Sequence, residues 1–142
     1  MPRRRALTLV ELVIIALVLG ILAMVMVPQF SRAGGDPRLS SLRISLQWVR
    51  GQIELYRVQH EGRYPRADDF VRQLTGRTRP DGTPCEPPDE DCRCGPYLQT
   101  IPVNPYTLGS EVGSGPVGTS DWHYDPATGL FRANDHADRA RY

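Results

Sequence analysis

The chain contains no lysine: all 17 of its basic residues are arginine, set against 16 carboxylates, for a formal charge of +1. With no basic run beyond Arg3-Arg4-Arg5, this balance excludes a general nucleic-acid binder, which needs a cationic face to displace counterions from phosphate. Histidine is scarce. His60, His123 and His136 have no serine or cysteine nucleophile at an interpretable spacing, so no catalytic triad is visible. Asp68 and Asp69 are adjacent, and on a helix their side chains diverge by about 100°, too far to share acid and base roles. Phosphate-cradling glycine motifs, internal repeats and low-complexity tracts are also lacking. The expectation is a non-enzyme with no cofactor and no catalytic residue.

What the chain does have is an apolar run. From Leu7 to Val27 there is no lysine, arginine, aspartate, asparagine, glutamine or proline, and one carboxylate, Glu11. A helix over that run is roughly 31 Å long, about the thickness of a hydrocarbon core. The arginines before it place the amino terminus in the cytoplasm by the positive-inside bias, and Pro28 onward outside. A secretory signal peptide has a shorter apolar core and a small-x-small cut site, whereas this run ends in Met24-Val25-Met26-Val27-Pro28. The expectation is therefore a single-pass inner-membrane protein with an exported carboxyl domain. Glu11 does not fit a plain anchor, since a carboxylate there costs on the order of 2–3 kcal/mol. Either it snorkels to the headgroups and pairs with Arg3, Arg4 or Arg5, or its partner lies on another chain.

The exported part suffices for one modest core. Asp36 is placed to cap, and Pro37 to open, a helix on which Leu39, Leu42, Leu46, Val49, Ile53 and Tyr56 recur at three- and four-residue spacings. That stripe reads as a domain core, with His60 at its end as a capping or surface residue. Asp68 to Leu74 reads as a short helix pairing Phe70 with Leu74. Residues 76–95 lose periodicity and gather prolines and all the cysteines, as an insertion-like loop rather than core. Outside the cytoplasm a disulfide is the default chemistry, and Cys85 with either Cys92 or Cys94 closes a small loop worth about 2–3 kcal/mol. A three-thiolate zinc site lacks a fourth ligand at standard spacing. Residues 122–133 alternate large side chains about Asp125-Pro126-Ala127-Thr128-Gly129 and read as a hairpin. Asp121 and Asp125 are the carboxylates through which calcium could bind, and no metal ligand is assigned.

Several phrases carry a resemblance. Arg3-Arg4-Arg5-Ala6 followed by Leu7-Thr8-Leu9-Val10-Glu11 resembles the class III leader of type IV pilins and type II secretion pseudopilins. Leu55 to Pro65, then Gly95-Pro96-Tyr97-Leu98, Ile101-Pro102-Val103-Asn104-Pro105 and the Trp122–Gly129 ending resemble the body of those proteins, and Pro28 falls where they commonly carry a helix-perturbing proline. Ala6 and Leu7 depart from the glycine and phenylalanine usual at the family's cut.

The resemblance implies a leader at 1–6, a transmembrane and assembly helix at 7–30, and an exported pilin-like domain at 31–142 with an insertion at 76–95. It implies cleavage between Ala6 and Leu7 by a prepilin peptidase, N-methylation of Leu7 and an assembly role for Glu11. Loss of Arg3, Arg4 and Arg5 would take the formal charge from +1 to −2. The implied fold is α+β, a long amino-terminal transmembrane helix packed on a small antiparallel sheet. The implied function is a structural subunit of a secretion pseudopilus or pilus-like filament, with other pilin subunits and an inner-membrane assembly platform as partners. The contrasting expectation is a membrane-anchored exported binding domain that stays monomeric.

Overall fold

The computed structural model describes residues 9–31, 36–86 and 90–142, and for 23–31 the backbone only. The chain divides into two compact units, Met1–Pro37 and Arg38–Tyr142.

The first unit contains α1, Leu9–Ser31. Among the described residues no helix is long and apolar enough to cross a membrane. The α1 side chains that are described, residues 9–22, account for about 21 Å of helix against a hydrocarbon core of about 30 Å. This corrects the expected single-pass inner-membrane anchor and its localisation.

The second unit is built on α2, Pro37–Gln59. Its stripe falls on one face because three- and four-residue steps return to the same side of a 3.6-residue turn, and Leu42, Leu46, Val49, Ile53 and Tyr56 are all buried. Leu39 packs half-buried at the edge of the same core. The helix ends where Glu61 and Gly62 enter the left-handed region, with φ of 58° and 83°, and the Gly62 N–H donates to the Arg57 carbonyl at 2.8 Å. Chain reversal brings in α3, Phe70–Thr75, whose Phe70, Gln73 and Leu74 are buried. The Leu74 carbonyl then accepts the N–H groups of both Tyr97 and Leu98 at 2.9 Å, which seats the Gly95-Pro96-Tyr97-Leu98 phrase.

The sheet has three strands in the order β1-β2-β3: Val112–Gly113, Trp122–Asp125 and Leu130–Ala133. β2 and β3 form the expected hairpin, with Tyr124 opposite Phe131 and Trp122 opposite Ala133, and these four side chains face the core. Gly129 turns the chain at φ 73°, and a Cβ there would lie 2.3 Å from the Tyr64 ring. β1 runs parallel to β2, so the sheet is mixed and the expected antiparallel sheet is corrected. The cause is the 114–121 loop, which doubles back before β2. Buried Asn134 staples it by donating to the Pro116 carbonyl at 3.0 Å and to Ser120 Oγ at 2.8 Å.

The fold expectation is corrected in a second respect. The helix packed in the core with the sheet residues is α2, an element separate from α1, rather than the continuation of one long amino-terminal helix. Phe70 lies 4.2 Å from the Tyr124 ring and 5.7 Å from that of Phe131, centroid to centroid, and Trp122 lies 5.3 Å from Phe131. The polar ends of these aromatics are satisfied: Trp122 Nε1 donates to the Pro102 carbonyl and the Tyr124 hydroxyl to that of Pro65, both at 2.8 Å.

Candidate assembly surface

Three features could carry function: the surface of α1, the outer face of α2, and the polar contacts that hold the 76–95 segment. On α1 the large apolar side chains from Leu9 to Leu22 are between 48 and 80 % exposed, on every side of the helix. Glu11 sits in the first turn, where a carboxylate meets the positive end of the helix dipole. Ala6 and Leu7, the expected cleavage and methylation positions, and Arg3 to Arg5 lie outside the described residues. α1 continues through Pro28 to Ser31.

The outer face of α2 carries a second apolar set that periodicity could have revealed. Ile44, Trp48, Leu55 and Val58 are exposed, out of phase with the core stripe, and Gly51 completes the row. The stronger core stripe on the opposite face masks it in the sequence.

The 76–95 segment is tied into the core, with Thr78, Cys85, Cys92 and Cys94 buried, which corrects its reading as lying outside the core. His60 is fully buried, stacked 3.7 Å from the Tyr56 ring. Its Nδ1 lies 2.8 Å from the Tyr56 carbonyl and its Nε2 2.9 Å from Thr78 Oγ1. A carbonyl only accepts, so Nδ1 carries the proton and Nε2 accepts from the threonine hydroxyl. His60 is therefore a structural pin, not a surface cap. Beside it Gln73 donates to the Gly82 carbonyl and accepts the Arg66 N–H, each at 2.7 Å, and the Tyr97 hydroxyl donates to Gln59 Oε1 at 2.7 Å. Burial pushes the Tyr56 hydroxyl up to about 12, and raises Tyr97 and Tyr124 as well.

Of the three cysteines, Cys85 and Cys92 form the disulfide and Cys94 is a buried free thiol in the hydrophobic core. Two thiols in a disulfide cannot serve a thiolate zinc site. The bond spans a separation of 7 residues, a loop closure of about 2.5 kcal/mol. Thr78 exchanges backbone hydrogen bonds with Cys94 at 3.0 and 3.1 Å, so the segment lies along its own return strand.

Asp125 is occupied with its own turn. Thr128 Oγ1 donates to one carboxylate oxygen at 2.6 Å and the Ala127 N–H to the other at 2.9 Å, which holds its pKa below the usual carboxylate value. Asp121 accepts the Glu111 N–H at 2.8 Å. Among the described residues no group of three histidine, cysteine or acidic side chains is placed to hold a metal. The polar pins of Asn104, Asn134 and Arg50 escaped the sequence reading. Arg50 is held to the Phe131 carbonyl at 2.8 Å and to the carboxyl-terminal Tyr142, and Asn104 donates to the Asp121 carbonyl at 2.9 Å. No local pattern signals such pairs.

No protein-family model matches the chain, and searches of curated proteins and of solved structures gave no match.

Proposed function

We propose that this protein is a structural subunit of a pilus-like filament or type II secretion pseudopilus, acting in protein secretion by assembling with other subunits, after a prepilin peptidase removes residues 1–6. The observation that supports this reading best is α1, whose exposed residues are apolar on every side apart from Glu11. A helix apolar all round must be covered, and the laterally packed helices of neighbouring copies cover it at roughly 25 cal/mol per Å².

Cleavage before Leu7 creates a new α-amino group four residues from Glu11. Two opposite charges 4 Å apart at an effective dielectric of about 20 attract by roughly 4 kcal/mol, enough to offset burying Glu11 among apolar neighbours if the amine belongs to the next copy. The test is cysteine crosslinking between copies along α1, in wild type and Glu11→Ala at equal protein levels, together with the mass of the mature amino terminus. The reading expects a mature mass beginning at Leu7 and a several-fold loss of crosslinks in Glu11→Ala. Retention of Met1 with crosslinks unchanged would overturn it in favour of a protein that works as a monomer.

A further inference from the structure

A second apolar seam, unconnected with the core, runs along the outside of α2. Ile44, Trp48, Gly51, Leu55 and Val58 follow one another in steps of four, three, four and three, which on a helix is the spacing of one coiled-coil face. Ile44 is 67 % and Val58 78 % exposed, with Trp48 and Leu55 between them also open to solvent.

Gly51 is the informative member. An exposed glycine in mid-helix costs about 1 kcal/mol relative to alanine. A Cβ built on Gly51 would meet nothing within 4 Å, so no packing inside the chain requires its absence. A bare backbone at the middle of an apolar seam admits another helix at close range.

The seam is nearly symmetric about Gly51. Ile44 and Val58 lie seven residues to either side, and Trp48 and Leu55 three and four. Turned antiparallel on a copy of itself, it places Ile44 against Val58 of the copy, Trp48 against Leu55, and glycine against glycine, the isologous contact of a two-fold pair. Charge favours the same direction. From Pro37 to Ile53 the helix carries Arg38, Arg43 and Arg50 and no carboxylate, while its last turns carry Glu54 and Arg57 as a pair 3.4 Å apart. Antiparallel pairing sets the arginine half of one copy beside the charge-balanced half of the other; parallel pairing sets arginines against arginines.

We infer that this face of α2 is a docking surface for a second copy of the chain, crossed antiparallel at Gly51. The seam is about 21 Å long and roughly 10 Å wide, well short of the 800 Å² or so per partner of a standard stable interface. It supports a weak, reversible pairing. The inference stands apart from the filament reading, since it needs neither α1 nor processing.

Disulfide trapping in the full-length protein tests it. Gly51→Cys should crosslink to itself, and a mixture of Ile44→Cys with Val58→Cys should crosslink, while Ile44→Cys alone should not, because the two copies of that position lie about 21 Å apart. Self-crosslinking of Ile44→Cys would show a parallel pair and overturn the inference, as would the absence of crosslinking at Gly51 in protein whose circular dichroism is unchanged. Gly51→Arg gives the complementary reading. It should keep the melting temperature of the domain, because the site is open, and abolish the blue shift of Trp48 fluorescence on concentration, with the fully buried Trp122 as a constant background. A concentration-dependent shift that survives Gly51→Arg would place the contact elsewhere and also overturn it. The Glu11 crosslinks along α1 report on the filament reading alone, so each can fail without the other.

Discussion

α1 and α2 are helices of the same length, 23 residues, with opposite designs. α2 spends its apolar residues mostly on one face, and its own chain covers them with α3, the hairpin and the 97–101 segment. α1 distributes them all round and, in its described part, leaves them open. The same hydrophobic effect therefore gives one helix a fold and leaves the other, in its described part, uncovered. Stability should reside in the Arg38–Tyr142 unit and assembly in α1, and substitutions can separate the two.

The largest effect is expected at the centre of the α2 stripe. Ile53 is buried in the core, and Ile53→Asp puts a charge there with no counter-ion or hydrogen-bond partner. The loss should exceed about 4 kcal/mol, a large part of the 5–15 kcal/mol that holds a typical domain together, and abolish the cooperative thermal transition seen by circular dichroism. A Tm unchanged within a few degrees would show that the stripe is not core.

The hairpin is the next place to press. Gly129→Ala imposes a left-handed conformation on a residue with a side chain and drives its Cβ into the Tyr64 ring, a combined cost of about 3 kcal/mol. Chemical denaturation should show a lower midpoint at constant slope. A change confined to α1 should leave that midpoint where it is.

The α2 stripe and the hairpin are legible in the sequence because their signals are local: a 3.6-residue period, and alternation about a turn whose last residue is glycine. The rest depends on partners distant in sequence. His60 meets Thr78 across 18 positions, and Arg50 meets Phe131 across 81, so nothing near either residue announces that it is structural. β1 is two residues long in a glycine- and serine-rich stretch, below any pattern length, and its parallel pairing depends on how Asn134 folds the intervening loop. The 76–95 segment has no periodicity because hydrogen bonds and a disulfide hold it more than an apolar face does. At the candidate site Glu11 was visible as a misfit of chemistry. The outer seam of α2 was present in the sequence and hidden only by the stronger stripe opposite.

A smaller, graded effect comes from alkali. Tyr56, Tyr97 and Tyr124 have pKa values raised by burial, Tyr56 to about 12, so above about pH 10 the unfolded chain releases phenolic protons that the folded domain keeps. The folded state then binds more protons and stability falls as pH rises. The contribution is complete below pH 10 and, for Tyr56, is lost between about 10 and 12 at up to ~1.4 kcal/mol per pH unit. Denaturation midpoints between pH 8 and 11 should fall along this curve, with the tyrosinate absorbance of the three buried residues, half of the six tyrosines, appearing only at the unfolding transition. A Tyr56→Phe variant should flatten the fall. Full tyrosinate absorbance in the folded protein at pH 10.5 would refute the burial.

The smallest effect on stability carries the most weight for function. Ile15 on α1 is 48 % exposed and belongs to a different compact unit from the core. Ile15→Ser removes apolar surface that the described fold leaves uncovered, so the denaturation midpoint of the Arg38–Tyr142 unit should move by no more than about 0.5 kcal/mol. Assembly should respond differently. In a filament each copy buries that side chain against neighbours, and the loss of about 1.5–3 kcal/mol of burial per contact multiplies along the polymer, so the critical concentration for α1 crosslinking should rise more than tenfold. Ile44→Ser on the outer seam of α2 serves as the control, since it removes comparable exposed apolar surface without touching α1. If Ile15→Ser lowers the midpoint as far as a core substitution does, α1 contributes to the fold of the body and the division between the two helices fails. If it changes neither midpoint nor crosslinking, the exposed apolar face of α1 is not an assembly surface.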